Sequence, residues 1–91
     1  MIDFTHIIKL FSKLLNSVGK EFSEHEIIEV EDFINVEEYG LALETLIDIL
    51  IEERKDVTQQ SIDIIKNLTV KMAMDGDEMC KNLDKLTKQI K

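Results

Sequence analysis

The chain has 91 residues, a net charge of −8, 44% apolar and 33% charged residues, one cysteine and no proline or tryptophan. That length allows one domain, which buries about 60–65% of its unfolded surface. The balance is that of a folded globular protein rather than an acidic tail, and nineteen acids against eleven bases disfavour a general binder of phosphate backbones. One cysteine cannot form an internal disulfide, and no apolar run reaches the roughly 20 residues of a membrane span. The start, Met1-Ile2-Asp3-Phe4-Thr5-His6, lacks the basic and apolar blocks of a signal peptide. The expected setting is the cytoplasm, without a membrane.

Five amphipathic segments follow one another at helical periodicity. The first runs from about Asp3 to Val18, with Phe4, Ile7, Ile8, Phe11, Leu14, Leu15 and Val18 on one face and Gly19 suited to end it in a left-handed conformation. The second opens on Ser23-Glu24-His25-Glu26, a capping box, and should end near Asn35. Its inward positions are Ile27, Val30 and Ile34, and His25, Glu29 and Asp32 point outward.

The third spans about Glu37 to Glu53. Tyr39, Ala42, Leu43, Leu46, Ile47 and Leu50 form a wide apolar face. Glu44, Asp48 and Glu52 recur at i, i+4, i+8 as an acidic stripe, with Leu41 and Thr45 within it. Gly40 near the start suggests a kinked first turn or the close approach of another helix.

Thr58 can cap a fourth helix running to about Met74, with Ile64, Ile65, Leu68 and Met72 inward. In Asp75-Gly76-Asp77, Gly76 would end that helix and Asp77 would cap the next. The fifth carries Met79, Leu83, Leu86 and Ile90 on one side, and either closes the bundle or meets another chain. No segment alternates as a strand does. The expected fold is all-α, a compact bundle of about five amphipathic helices joined by short loops.

Charge is unevenly spread. Glu21 to Glu53 holds twelve acids and no Lys or Arg, so it carries −12 and the remainder +4. Like charges at i, i+4 cost roughly 0.2–0.5 kcal/mol per pair. Acids near helix N-termini offset the dipole, but Asp48, Glu52 and Glu53 lie too far along for that. A solvated face explains the arrangement blandly. A docking surface for a basic partner explains it functionally, since such fields raise association rates by about 10–10³-fold. Glu29, Asp32, Glu44, Asp48 and Glu52 are the candidate contacts, with Leu41, Ile28 or Phe33 as an apolar anchor.

Catalytic and metal signatures are missing. His25 and Glu29 are spaced as two ligands on one helix turn, whereas zinc takes three or four protein ligands. Counting an EF-hand from Asp75 puts Cys80 at the glycine position and Leu86 at the glutamate position. Cys80 reads as a packed or half-buried thiol. The three glycines are isolated, so no phosphate loop exists. No cofactor, no metal and no enzymatic activity are expected.

Glu38-Tyr39-Gly40-Leu41-Ala42-Leu43-Glu44, followed by Leu46, Asp48 and Leu50, resembles the EYGLALE-x-L-x-D-x-L signature of the Maf-type immunity protein family. The similarity covers about Glu24 to Leu68. The resemblance implies a small, acidic, helical, cytoplasmic protein that protects a bacterium from a toxin used against neighbours, as in contact-dependent growth inhibition. It implies a cognate partner that is a basic toxin domain, commonly a nuclease, bound one-to-one by a monomer without catalysis and without direct nucleic-acid contact. Within the signature, Glu44 and Asp48 point outward, while most of the remainder faces inward and defines the fold. The alternative is a helical module that self-associates through spare apolar surface on the last helix, which Leu86→Asp would disrupt without unfolding.

Overall fold

The computed structural model describes residues 4–90, which form five α-helices and no strand. They are α1 Thr5–Val18, α2 Glu24–Asn35, α3 Tyr39–Glu52, α4 Gln59–Lys71 and α5 Asp77–Thr87. Two pairs make the most extensive contacts, α2 with α3 and α1 with α4, and α5 lies against both α3 and α4. The all-α bundle expected from periodicity is what the chain adopts, and α5 closes it. Asp3, the expected start of α1, lies outside the described residues.

The core follows the apolar stripes. All six inward positions of α3 are buried, and Leu43, Leu46 and Leu50 are fully so. From α1 come Ile7, Leu10, Phe11, Leu14 and Val18, and from α4 Ile62, Ile64, Ile65 and Leu68. The Phe11 and Tyr39 rings stack at 6.2 Å between centroids, which ties α1 to α3. Leu10 and Ile62 are core residues that the expected stripes omitted, whereas Ile8 and Phe4 are exposed. A helix wedged between neighbours buries a face wider than one stripe.

Helices α1, α2 and α3 end within a residue of the expected Val18, Asn35 and Glu53, and two of the three expected side-chain caps form. Ser23 Oγ accepts from the Glu26 N–H and Glu26 Oε1 accepts from the Ser23 N–H, so the capping box is complete. Thr58 Oγ1 accepts from the Ser61 N–H. Asp77, in contrast, is the first residue of α5 and Gly76 occupies the cap without a side chain to offer.

Gly19 does not end α1 in a left-handed turn. Its φ is −56°, and the chain continues into a 3-10 turn over Gly19–Glu21. The left-handed positions fall instead on Glu37 (φ 61°), Arg54 (φ 48°) and Ala73 (φ 55°). Each lies just past α2, α3 or α4 within the paired hydrogen bonds of a Schellman motif: Glu38 N–H to Phe33 O with Glu37 N–H to Ile34 O, Lys55 N–H to Leu50 O with Arg54 N–H to Ile51 O, and Met74 N–H to Thr69 O with Ala73 N–H to Val70 O. Three helices therefore stop without glycine. This also moves two boundaries: α3 begins at Tyr39 rather than Glu37, and α4 ends at Lys71 rather than Met74.

The end of the described chain is tied down. Gln89 Nε2 donates to the carbonyls of Leu50 and Lys55, at 2.8 Å each. Val57 and Ile90 form an isolated parallel bridge, with the Val57 N–H bonded to the Gln89 carbonyl. Residues after α5 thus hold the loop between α3 and α4.

Candidate functional site

Eleven of the twelve acids from Glu21 to Glu53 are exposed, and the twelfth, Glu26, is half-buried. The packing of helices produces this. The apolar faces of α2 and α3 are turned to each other and to the core, so the carboxylates of those helices, Glu26 apart, are left outward. Among the described residues, Glu26 is the one acid of this stretch that forms an ion pair, with Lys55 Nζ at 3.1 Å.

Lys55 lies just beyond the acidic segment and folds back onto its start. Its Nζ also donates to the Glu21 carbonyl at 2.6 Å and stands 5.4 Å from the centre of the Phe22 ring. The carboxyl of Glu26 is held below its ordinary pKa, first by the Ser23 backbone N–H and then by Lys55, with partial burial opposing both. Sequence periodicity gives no sign of this contact, because Lys55 lies in the loop between α3 and α4. Its place three residues past the end of α3 aims it at the start of α2.

The six expected contact residues are all exposed, but they do not form one patch. Leu41, Glu44 and Asp48 border two adjoining grooves on one side of α3. The first groove runs between α3 and the turn into α5, with Glu44, Asp48, Asp77 and Glu78 at its edges and Ile47, Met74 and Met79 within. The second lies between the start of α3, Phe4 and the end of α4, and includes Tyr39, Leu41, Met72 and Met74. Glu44, Ala73 and Met74 belong to both. Glu29 and Asp32 stand on α2, and Glu52 in the last turn of α3, and none of the three lines either groove.

Asp77 and Glu78 extend the acidic border beyond the Glu21–Glu53 segment. The sequence expects Asp77 only as a helix cap, and tertiary packing is what brings it and Glu78 opposite Glu44 and Asp48. As apolar anchors, Leu41 and Ile28 are each 45% exposed, whereas Phe33 packs partly against the core.

Other expectations change. Cys80 is exposed rather than packed. Gly40 is not a point of helix–helix contact, since a Cβ there would meet only Met74 Sδ at 3.6 Å, an ordinary distance. The apolar face of α5 is engaged within the bundle: Met79 and Leu86 are buried and Leu83 partly so. Leu86→Asp would therefore test the fold, not self-association. No three His, Cys, Asp or Glu side chains among the described residues converge where they could hold a metal ion. No helix among them is long and apolar enough to cross a membrane.

Comparison with known proteins adds no relative: no family model, no curated protein and no solved structure matches the chain.

Proposed function

We propose that this chain is a cytoplasmic immunity protein that binds a cognate bacterial toxin domain, a basic nuclease, and neutralises it one-to-one without catalysis. The observation that carries this reading is the exposed −12 segment, whose acids other than Glu26 have no ion-pair partner among the described residues. Such a surface repels nucleic acid and attracts the cationic groove that a nuclease presents to its substrate. The toxin itself comes from the resemblance of Glu38–Glu44 to the Maf-type immunity signature. The acids cost folding stability among themselves, so a role in steering a partner accounts for their retention along α2 and α3.

The test is an affinity pull-down from the source cells with the tagged protein, at low and high salt, followed by co-expression of whatever is captured. The expected result is one stoichiometric partner, a basic domain from the C-terminus of a large exported protein, released by salt, whose toxicity the chain abolishes. Recovery of the bait alone, or a partner whose activity is unaffected by binding, overturns the reading.

A further inference from the structure

The two grooves share a border and form one trough along the side of α3 that faces the α4–α5 turn. Its floor is unusual in composition. Met72, Met74 and Met79 line it, three of the four methionines of the chain, with Met72 and Met74 half-buried and Met79 buried. Methionine side chains are unbranched and polarisable, so a surface built from them repacks around differently shaped apolar residues. Gly40 adds no side chain above Met74, which keeps that part of the floor open.

The rim is almost wholly acidic. Glu37, Glu38 and Glu44 border the apolar end, and Asp48, Asp77 and Glu78 the other, while Lys71 is the one base among the described residues that lines either groove. Six carboxylates around an adaptable apolar floor complement one chemistry: apolar side chains flanked by Lys and Arg. A helix presents that combination when its apolar residues recur at i, i+3, i+4 and i+7 and its remaining face is basic. A second copy of this chain is the poorer match, since it carries −8 overall.

We propose that this methionine-floored, acid-rimmed trough is the docking surface for a basic amphipathic helix of the partner. The inference rests on the proposed function for the partner's identity, and it narrows the contact residues. Glu44, Asp48 and Leu41 belong to the interface together with Asp77 and Glu78, and Glu29 and Asp32 on α2 do not.

The test uses a synthetic Leu/Lys amphipathic helix of about 15 residues, with a Leu/Glu peptide of the same pattern as control. Methionine methyl resonances report contact. The expected result is that the Leu/Lys peptide shifts the methyls of Met72, Met74 and Met79, and that the control shifts none. Glu44→Lys with Asp48→Lys should weaken binding about tenfold, and Glu29→Lys with Asp32→Lys less than about threefold, although both pairs change net charge equally. Circular dichroism verifies that each variant is folded.

Unmoved methyls, or equal weakening by the two pairs, overturn the proposal. So does a free protein that sediments as a dimer and is made monomeric by the Glu44, Asp48 pair, because a second copy then fills the trough. Capture of a toxin that survives the α3 pair but not the α2 pair sinks the trough and leaves the proposed function standing. Peptide binding in the trough without any captured toxin does the reverse.

Discussion

The pair α1–α4 and the pair α2–α3 share one bundle but are held differently. Between α1 and α4 the apolar seam carries a set of hydroxyls: Ser17 Oγ lies 2.6 Å from Ser61 Oγ, which lies 2.9 Å from Thr58 Oγ1. Ser61 is 1% exposed, and its partners satisfy it. Outward, Lys9 and Lys13 on α1 and Asp63, Lys66 and Lys71 on α4 mix the signs. Between α2 and α3 the charge is all of one sign, and α2 contributes a single fully buried residue, Val30, to the core. The first pair is fastened by its own interface. The second relies on α3 being embedded in the core and on Lys55 gripping the start of α2. Elements with few buried side chains open first, so α2, with one buried residue against five on α1 and six on α4, is expected to open before those two helices.

The largest expected effect separates the two partners of that hairpin. Leu46→Ala empties a fully buried site on α3 and should cost about 2–5 kcal/mol. A domain this size is stable by about 5–14 kcal/mol in all, so that loss is felt globally. Val30→Ala removes less volume, about 1–3 kcal/mol, and should act chiefly on α2. Amide exchange of each variant tells them apart: Leu46→Ala should raise exchange in every helix, and Val30→Ala mainly across Glu24–Asn35. If Val30→Ala loosens α1 and α4 equally, α2 is no separate unit.

Next in size is Lys55→Ala. It removes the ion pair to Glu26, the bond to the Glu21 carbonyl and the cation near Phe22. The expected cost is about 1–2 kcal/mol, because the contact is only partly shielded from water. Exchange should again rise first in α2. An unchanged urea midpoint would show that the interface of α2 with α3 suffices alone.

How far the sequence revealed all this depended on the range of the cause. Local causes were legible: the stripe of α3, the Ser23–Glu26 box and the Thr58 cap are set by residues within four positions of one another. Glycine misled at both Gly19 and Gly76. Left-handed backbone is expected at Gly19, where it is cheapest, yet the chain uses Glu37, Arg54 and Ala73, because packing decides where each helix must turn back. The candidate site was legible in charge but not in shape. Opposing Asp77 and Glu78 to Glu44 and Asp48 requires α5 to lie against α3, and the reach of Lys55 to Glu26 spans two helices.

Those turns allow a gain in stability. A non-glycine residue in left-handed conformation costs about 1–2 kcal/mol, and glycine gives back part of that through the entropy of its unfolded chain. Ala73→Gly should therefore stabilise by about 0.5–1 kcal/mol, read as a higher urea midpoint with unchanged slope. Arg54→Gly and Glu37→Gly should act the same way, and Glu37→Gly in addition removes one charge from the trough. A destabilised Ala73→Gly would mean that the methyl group packs at that turn.

The smallest expected effect is on pH, and it isolates the acid of the −12 segment that pairs with Lys55. Glu26 titrates below its ordinary value in the folded chain, because the Ser23 N–H and Lys55 favour its charged form. A lowered folded pKa means that the unfolded state binds a proton first, so this carboxylate contributes stability above the ordinary range near about 4.3. That contribution falls away as pH drops through the lowered folded value. Glu26→Gln keeps an oxygen for the capping bond and removes the charge. Its urea midpoint should lie below that of the parent by a constant amount from pH 7 to about pH 5, and the gap should then close. A gap that persists at pH 3 would mean that the geometry of the box, and not the charge on Glu26, fastens the start of α2.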